Sequence, residues 1–290
     1  VVNAPQSNVL SAAEQTMALL LAMARNTAQA DAALKQGRWE RSAWTGIELH
    51  GRTLGIVGLG RIGKLVAERA HAFGMHLIGY DPFVSDERAR EMSVELVSLD
   101  ELAARADIVT LHVARTPETI GLIGREFLAT ARDGIRIVNV ARGGIVDEAA
   151  LYDGLVSGKV GGAALDVFDA EPCTDSPLFT LPNVVATPHL GASTHEAQDK
   201  AGVTIAEQVA LALAGDFVPF AVNIDAAELA GTMVPYLPLA EKLGALLSSM
   251  GVHPLSVISA LRYRRRGGAI DRRRRTRGLA PLNQEGRHHA

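Results

Sequence analysis

TLGIVGLGRIG, residues 53–63, is the stretch whose reading decides the fold. Its first half is a short apolar run, the texture of a buried strand. Its second half, Gly58-Leu59-Gly60-Arg61-Ile62-Gly63, has the spacing G-x-G-x-x-G, and Arg61 to Phe73 continues with helical spacing. Strand, glycine turn and helix in that order make a phosphate cradle. Gly58 permits the tight turn, Gly60 lets the backbone approach a pyrophosphate, and Gly63 lets the helix pack closely on the sheet. The helix N-terminus adds free N–H groups and the positive end of its dipole, and Arg61 can add a charge. Asp81 lies 18 residues beyond Gly63, just after the apolar run Met75 to Tyr80. A carboxylate there accepts hydrogen bonds from the hydroxyls of an adenosine ribose and repels a 2′-phosphate, so the expected cofactor is NAD rather than NADP.

Working outward, the same grammar repeats. Short apolar runs at Val94 to Val97, Ile108 to His112, Ile135 to Val140, Val160 to Leu165 and Val184 to Ala186 alternate with helical stretches at Asp86 to Met92, Leu99 to Arg105, Arg125 to Ala131 and Asp147 to Ser157. Short apolar strands separated by helices predict an α/β fold with a doubly wound parallel sheet covered on both faces. Val9 to Lys35 reads as one long helix, with Ser11 as N-cap, Glu14 closing a capping box and Gly37 as the stop. Its wide apolar face predicts burial on more than one side. A polar loop with Trp39 and Trp44 follows it, and Thr194 to Ala214 is a final long helix.

Composition narrows the class. Apolar residues make up 48% of the 290, enough for a substantial core, and no apolar run approaches the roughly 20 residues that span a membrane. The single cysteine, Cys173, excludes an internal disulfide and fits a reducing cytoplasm. The formal charge of -3 is uneven: from Arg262 onward ten arginines face only Asp271 and Glu285, which leaves the preceding body strongly acidic. An acidic body has no footprint for nucleic acid. The basic stretch after about Val252 has almost no apolar pattern. It reads as a shifted reading frame, with a disordered appendage or an anion-binding tail as the other readings.

Three polar residues follow predicted strands directly, at the end of a parallel sheet where ligands bind. Arg142 follows Ile137 to Ala141, Glu171 follows Ala164 to Phe168, and His189 follows Val184 to Pro188. Oxidising a secondary alcohol needs a base for the hydroxyl proton while hydride leaves the carbon, and histidine suits that task. A carboxylate beside it orients the ring and favours the imidazolium. A guanidinium can hold a substrate carboxylate through two parallel hydrogen bonds.

GLGRIG (58–63), NVARGGIVDEAAL (139–151), ALDVFDAEP (164–172) and TPHLGAST (187–194) together resemble the signatures of the D-isomer-specific 2-hydroxyacid dehydrogenase family. The opening VVNAPQSNVLSAAEQTMALLLA and the residues after Phe220 resemble its phosphoglycerate-oxidising branch, and the likeness runs from about Val1 to Met250. The resemblance implies a Rossmann-like NAD domain with a partial second, substrate-binding lobe. It implies NAD-dependent oxidation of D-3-phosphoglycerate to 3-phosphohydroxypyruvate, the entry to serine synthesis. Arg142 would bind the substrate carboxylate, and Glu171 would pair with His189, the acid/base. Arg61 and Ile62 match pyrophosphate contacts and Asp81 the ribose contact. Val113, Val140, Ala141 and Asp166 match the lining of the adenine or nicotinamide side, continued by His189, Leu190, Gly191 and Ala192. Asn8 matches a position near the substrate. The long first helix resembles a dimer-contacting element, so a homo-oligomer is expected.

Two positions qualify the likeness. Ala114 in HVARTPET stands where the family usually has proline, and Glu171 stands where formate-oxidising relatives carry glutamine, which argues against formate. By this pattern residues 9–193 form the dinucleotide-binding domain, 1–8 and 194–223 a remnant of the substrate domain, 224–252 the start of a further extension and 253–290 the basic tail. With no first lobe before Val1, the expectation is a chain that binds NAD and turns substrate over poorly. The other readings are a glyoxylate or hydroxypyruvate reductase of the same family, and a non-catalytic NAD(H)-binding regulator.

Overall fold

The computed structural model describes residues 1–214, 218–222, 239, 242 and 243; the expected extension and basic tail lie outside the described residues apart from those last three. The chain divides into two compact units, Asn3–Glu207 and, separately, Val1–Val2 with Gln208–Ala290.

The larger unit is built on a seven-stranded, wholly parallel sheet. Its strands are β1 (Thr53–Val57), β2 (His76–Tyr80), β3 (Glu95–Leu96), β4 (Ile108–Leu111), β5 (Ile135–Asn139), β6 (Val160–Leu165) and β7 (Val184–Ala186). They lie in the order β3-β2-β1-β4-β5-β6-β7. The winding therefore reverses between β1 and β4, which opens the crevice beside the C-terminal end of β1 where ligands of such sheets bind.

The helices of this unit are α1 (Val9–Arg25), α2 (Thr27–Lys35), α3 (Arg61–Ala72), α4 (Asp86–Glu91), α5 (Leu99–Arg105), α6 (Arg125–Thr130) and α7 (Glu148–Ser157), with α8 (His195–Ala214) running on past the unit boundary. Strand alternation sorts the core into two layers. Leu54 and Ile56 of β1, Val138 of β5 and Ala164 of β6 face a layer filled by Ala13, Leu20 and Met23 of α1 and Val66 and Ala70 of α3. Val57, Ile137, Ala163 and Leu165 face the opposite layer, filled by Leu102 of α5, Phe127 of α6 and Leu151 of α7. Both faces are covered, which is why the strands read as continuous apolar runs rather than as alternating ones.

The expectation for the N-terminal helix needs correcting. The helix starts at Val9, so Ser11 is inside it and not its N-cap, and Asn8 caps it without a side-chain hydrogen bond. Nor is it a single helix: Asn26 adopts the left-handed conformation at φ 52° and separates α1 from α2. The physical cause is a competing partner. The Ala24 carbonyl accepts the Ile47 N–H at 2.8 Å, and the Asn26 side chain donates to the Thr45 carbonyl at 3.1 Å. Asparagine tolerates the left-handed region, so the break falls there. Gly37, at φ 79°, ends α2 as expected.

In the smaller unit Val2 bridges antiparallel to Ala221, and the Phe220 N–H donates to Gln208 Oε1 at 3.1 Å. Among the described residues no helix is long and apolar enough to cross a membrane.

Candidate active site

The glycine loop leaves β1 at Val57. Gly58 sits at φ 94°, and a Cβ there would lie 2.8 Å from the His112 carbonyl oxygen and 2.9 Å from Val113 Cγ1. Both conformation and space demand glycine. Gly63, in the first turn of α3, would place a Cβ 2.1 Å from the Gly58 carbonyl oxygen, so helix and loop are in backbone contact. Gly60 is different: it caps α3, and a Cβ there would meet nothing within 4 Å. The space over Gly60 is open beside the N–H groups of Arg61, Ile62 and Gly63, which helix geometry leaves without intrahelical acceptors. Asp81 completes the cradle. Its Oδ2 accepts the Leu59 N–H at 2.8 Å and its Oδ1 accepts the Phe83 N–H at 2.9 Å, which ties the end of β2 to the loop. Open backbone, free N–H donors and an adjacent carboxylate fit the pyrophosphate and ribose of a dinucleotide.

The other predicted residues converge at the ends of β5, β6 and β7. His189 Nδ1 lies 2.7 Å from Glu171 Oε2, while Glu171 Oε1 accepts the Phe168 N–H at 3.0 Å. With the carboxylate as acceptor, Nδ1 must carry a proton, which leaves Nε2 to face a reactant. Burial works to raise the Glu171 pKa. The hydrogen bonds from His189 and Phe168, with the charges of His189 and Arg142, outweigh it and hold the carboxyl below its usual range. Arg142 is thus electrostatically coupled to the pair. Its guanidinium donates to the Ala141 carbonyl at 2.6 Å.

Two residues that hold this arrangement, Asn139 and Gly143, escape the sequence pattern, and Asp166, expected only as cofactor lining, joins them. Asn139, 1% exposed at the end of β5, accepts the Ala141 N–H at 3.0 Å and donates to the Arg142 carbonyl at 2.9 Å, so its amide frames the Arg142 turn. Beside it Gly143 packs so closely that a Cβ would lie 1.7 Å from the Phe168 carbonyl oxygen. Asp166 is fully buried. Its Oδ1 accepts from Thr187 Oγ1 at 2.5 Å and from the Leu190 N–H at 2.7 Å, and its Oδ2 from the Gly191 N–H at 2.8 Å. Its carbonyl also accepts the His189 N–H at 2.8 Å. His189 itself lies at φ 55°, a conformation rare for a residue with a side chain. The Asp166 carboxylate therefore cages the turn that carries His189. From α1, Gln15 donates to Thr187 at 3.2 Å, and Ser11 bonds Thr194 at 2.8 Å. A buried Asn or Asp at the end of an apolar run must be satisfied by neighbours, and that was the available signal for Asn139.

The remaining expected positions fall around these turns. Val140 and Asp166 lie against Gly191, whose added Cβ would come 3.2 Å from Val140 Cγ1 and 3.3 Å from Asp166 Oδ2. Val113 adjoins Gly58, as above, and Ala192 follows the caged turn as an exposed residue. Asn8 stays at the start of α1, and among the described residues no hydrogen bond joins its side chain to Arg142, Glu171 or His189. A hollow of about 820 Å³ lies elsewhere: Thr53, His76 and Arg105 in its wall place it at the N-terminal ends of the strands.

Comparison with known proteins agrees with the fold and with NAD as cofactor. Residues 17–191 match the family described as D-isomer specific 2-hydroxyacid dehydrogenase, NAD binding domain. A D-3-phosphoglycerate dehydrogenase of Mycobacterium leprae is 57% identical over 250 residues, covering 86% of this chain and 47% of the relative. One from Methanocaldococcus jannaschii is 53% identical, covering 85% of this chain and 48% of the relative. The chain thus spans about half the length of these relatives. Among solved structures, the TT0316 protein of Thermus thermophilus superposes with a TM-score of 0.71 at 38% identity, covering 77% of this chain and 71% of that one. A D-lactate dehydrogenase of Aquifex aeolicus, solved with NAD and lactic acid, gives a TM-score of 0.68 at 32% identity, covering 74% and 70%.

Proposed function

Since the chain belongs to the D-isomer-specific 2-hydroxyacid dehydrogenase family and carries its NAD-binding domain, we propose that it serves the oxidation of D-3-phosphoglycerate to 3-phosphohydroxypyruvate. The observation that carries the chemistry is the 2.7 Å pair of His189 and Glu171 at adjacent strand ends, with Arg142 coupled to it. The preference for phosphoglycerate is supported by the relatives of that name. Gly58 to Gly63, with Arg61 and Ile62 toward the phosphates and Asp81 toward the ribose, would hold NAD, which would supply the hydride acceptor. His189 Nε2 takes the hydroxyl proton of the substrate. Glu171 keeps Nδ1 protonated and offsets the positive charge that the ring acquires. Arg142 grips the substrate carboxylate and so presents the carbon-bound hydrogen in one orientation. Asp166 and Asn139 act through others: the first holds the His189 turn, the second the Arg142 turn.

Within this reading residues 9–193 are the dinucleotide-binding domain, and 1–8 with 194–223 belong to a substrate-binding domain. We also infer a homo-oligomer. Trp39 is 78% exposed on the loop that follows α2. A partner surface would cover its ring.

The test is a steady-state assay of D-3-phosphoglycerate with NAD, the wild-type chain against His189→Asn. Loss of a positioned acid/base should lower kcat about 10²- to 10⁴-fold and leave NADH affinity nearly unchanged. Equal activity of the two proteins would refute the role of His189. Preferential turnover of glyoxylate or hydroxypyruvate would move the assignment to a sister reductase. Dinucleotide binding with no turnover of any 2-hydroxy acid would favour a regulator.

A further inference from the structure

The N-terminal ends of the strands, remote from His189, carry an unusual concentration of positive charge. Asp107 leads into β4 and stands between β1 and β5. Its Oδ2 accepts the Thr53 N–H at 2.8 Å, and the Arg136 N–H donates to its carbonyl at 3.1 Å. Its Oδ1 is shared by two guanidiniums, Arg132 at 3.1 Å and Arg52 at 3.6 Å. A third, Arg136 on β5, lies within electrostatic reach of both Arg52 and Asp107, and its side chain donates to the Gly134 carbonyl at 3.3 Å.

Three guanidiniums therefore answer to one carboxylate, which is itself only 18% exposed. One oxygen of Asp107 is spent on backbone and the other is divided, so two positive charges in the cluster have no counter-charge within it. Arg136 is half-buried, and burial, then the charge of Arg52, pull its pKa below the usual arginine value. Like charges held together with part of their hydration removed are stabilised by an anion. Guanidiniums match the geometry of phosphate, and each retains donors that Asp107 does not use.

The 820 Å³ hollow adjoins this cluster. Thr53, next in sequence to Arg52, is in its wall. So is Arg105, whose carbonyl accepts from Arg132 at 3.5 Å. Glu95, on the same wall, is already engaged by Arg105 through two bonds of 2.8 and 2.7 Å, so its charge does not compete for the other arginines. His71, His76 and Arg90 also line it, together with Asp86 and apolar side chains that include Met75, Leu77 and Val94.

We propose that Arg52, Arg132 and Arg136 form a second ligand site, which takes the phosphate of a small phosphorylated molecule whose remaining atoms lie in the adjoining hollow. The site is separate from the dinucleotide loop and from His189, so occupancy is compatible with bound cofactor.

Calorimetric titration of the whole chain, saturated with NADH to block the glycine loop, tests it. Inorganic phosphate and glycerol 3-phosphate are the probes. One equivalent should bind, the ester more tightly than phosphate. Arg132→Met with Arg136→Met should weaken binding at least about tenfold, the loss expected for charge-assisted hydrogen bonds. Asp107→Asn should tighten it several-fold, because it removes the competing charge and keeps an oxygen for the Thr53 N–H. Thermal melts confirm that each variant is folded. No binding to the NADH-saturated chain, unchanged binding in the double arginine variant, or weaker binding in Asp107→Asn would each overturn the site. Equal affinity for the two probes would overturn the part played by the hollow.

Discussion

His112 makes the fold sensitive to mild acid, by an amount that can be worked out. It follows β4 directly, and its main chain backs Gly58. Its Nε2 lies 3.0 Å from Thr110 Oγ1, on a threonine that is fully buried. Burial pushes its pKa down from 6.5 to about 3. The sign follows from proton counting. Between the two values the unfolded chain binds a proton that the folded chain refuses, so stability rises with pH across that window. The contribution is complete above about pH 6.5 and is lost progressively as pH falls toward 3. From pH 7 to 5 the full shift corresponds to about 2 kcal/mol, at roughly 1.4 kcal/mol per pH unit once below the unfolded pKa. The residue retains some contact with solvent, and screening of that part brings the expected figure to about 1 kcal/mol. The carboxyls of Glu95, Glu101, Glu118, Asp133 and Glu171, which are held low in the folded state, lose their contributions only at lower pH and leave this window clear. Urea unfolding of the wild type and of His112→Gln at pH 7, 6 and 5 measures the effect. Glutamine does not titrate and keeps an amide for Thr110. The wild type should lose about 1 kcal/mol more than the variant between pH 7 and 5. Parallel stability profiles would show that His112 is not held neutral by the fold.

Three further outcomes are expected. Gly60→Ala meets open space and should leave the urea midpoint nearly unchanged, yet weaken NADH binding at least about tenfold by filling the approach to the pyrophosphate; Gly63→Ala, 2.1 Å from the Gly58 carbonyl oxygen, should lower both. Fluorescence titration with NADH would refute this if Gly60→Ala bound normally. Asp166→Asn turns an N–H₂ toward one of the donors that the carboxylate now accepts. It should cost about 2–3 kcal/mol in urea unfolding and lower kcat about 10²-fold by loosening His189, so wild-type stability and turnover together would sink the cage. Gly143→Ala has backbone on the far side of the added methyl and should destabilise by about 1–3 kcal/mol while raising KM for the hydroxy acid through Arg142; a variant with unchanged KM would separate that turn from substrate binding.

The elements that were legible in the sequence are those whose pattern is local. β1, β6 and β7 fall on their apolar runs without adjustment, because a strand buried on both faces leaves a continuous apolar signature. Gly58, Gly60 and Gly63 could be read because each answers to the turn or helix in which it stands. Arg142, Glu171 and His189 could be read because each lies a few residues past its strand. The break at Asn26 could not be, since it depends on Ile47 taking the Ala24 carbonyl across an intervening loop. Asp166 shows most plainly where local pattern stops. From its place after β6 it resembles a residue that faces cofactor, and its position in the chain says nothing of Thr187, Leu190 and Gly191, which close on it from 21 to 25 residues away. That closure gives His189 its left-handed backbone, a conformation that histidine adopts only where surrounding contacts determine it. His189, after β7, is therefore set from two neighbouring strand ends: after β6, Glu171 orients the ring and Asp166 fixes the turn, and after β5, Asn139 and Gly143 hold Arg142 against the same loop. Site geometry of this kind is a property of strand order, because only the adjacency of β5, β6 and β7 brings those ends together.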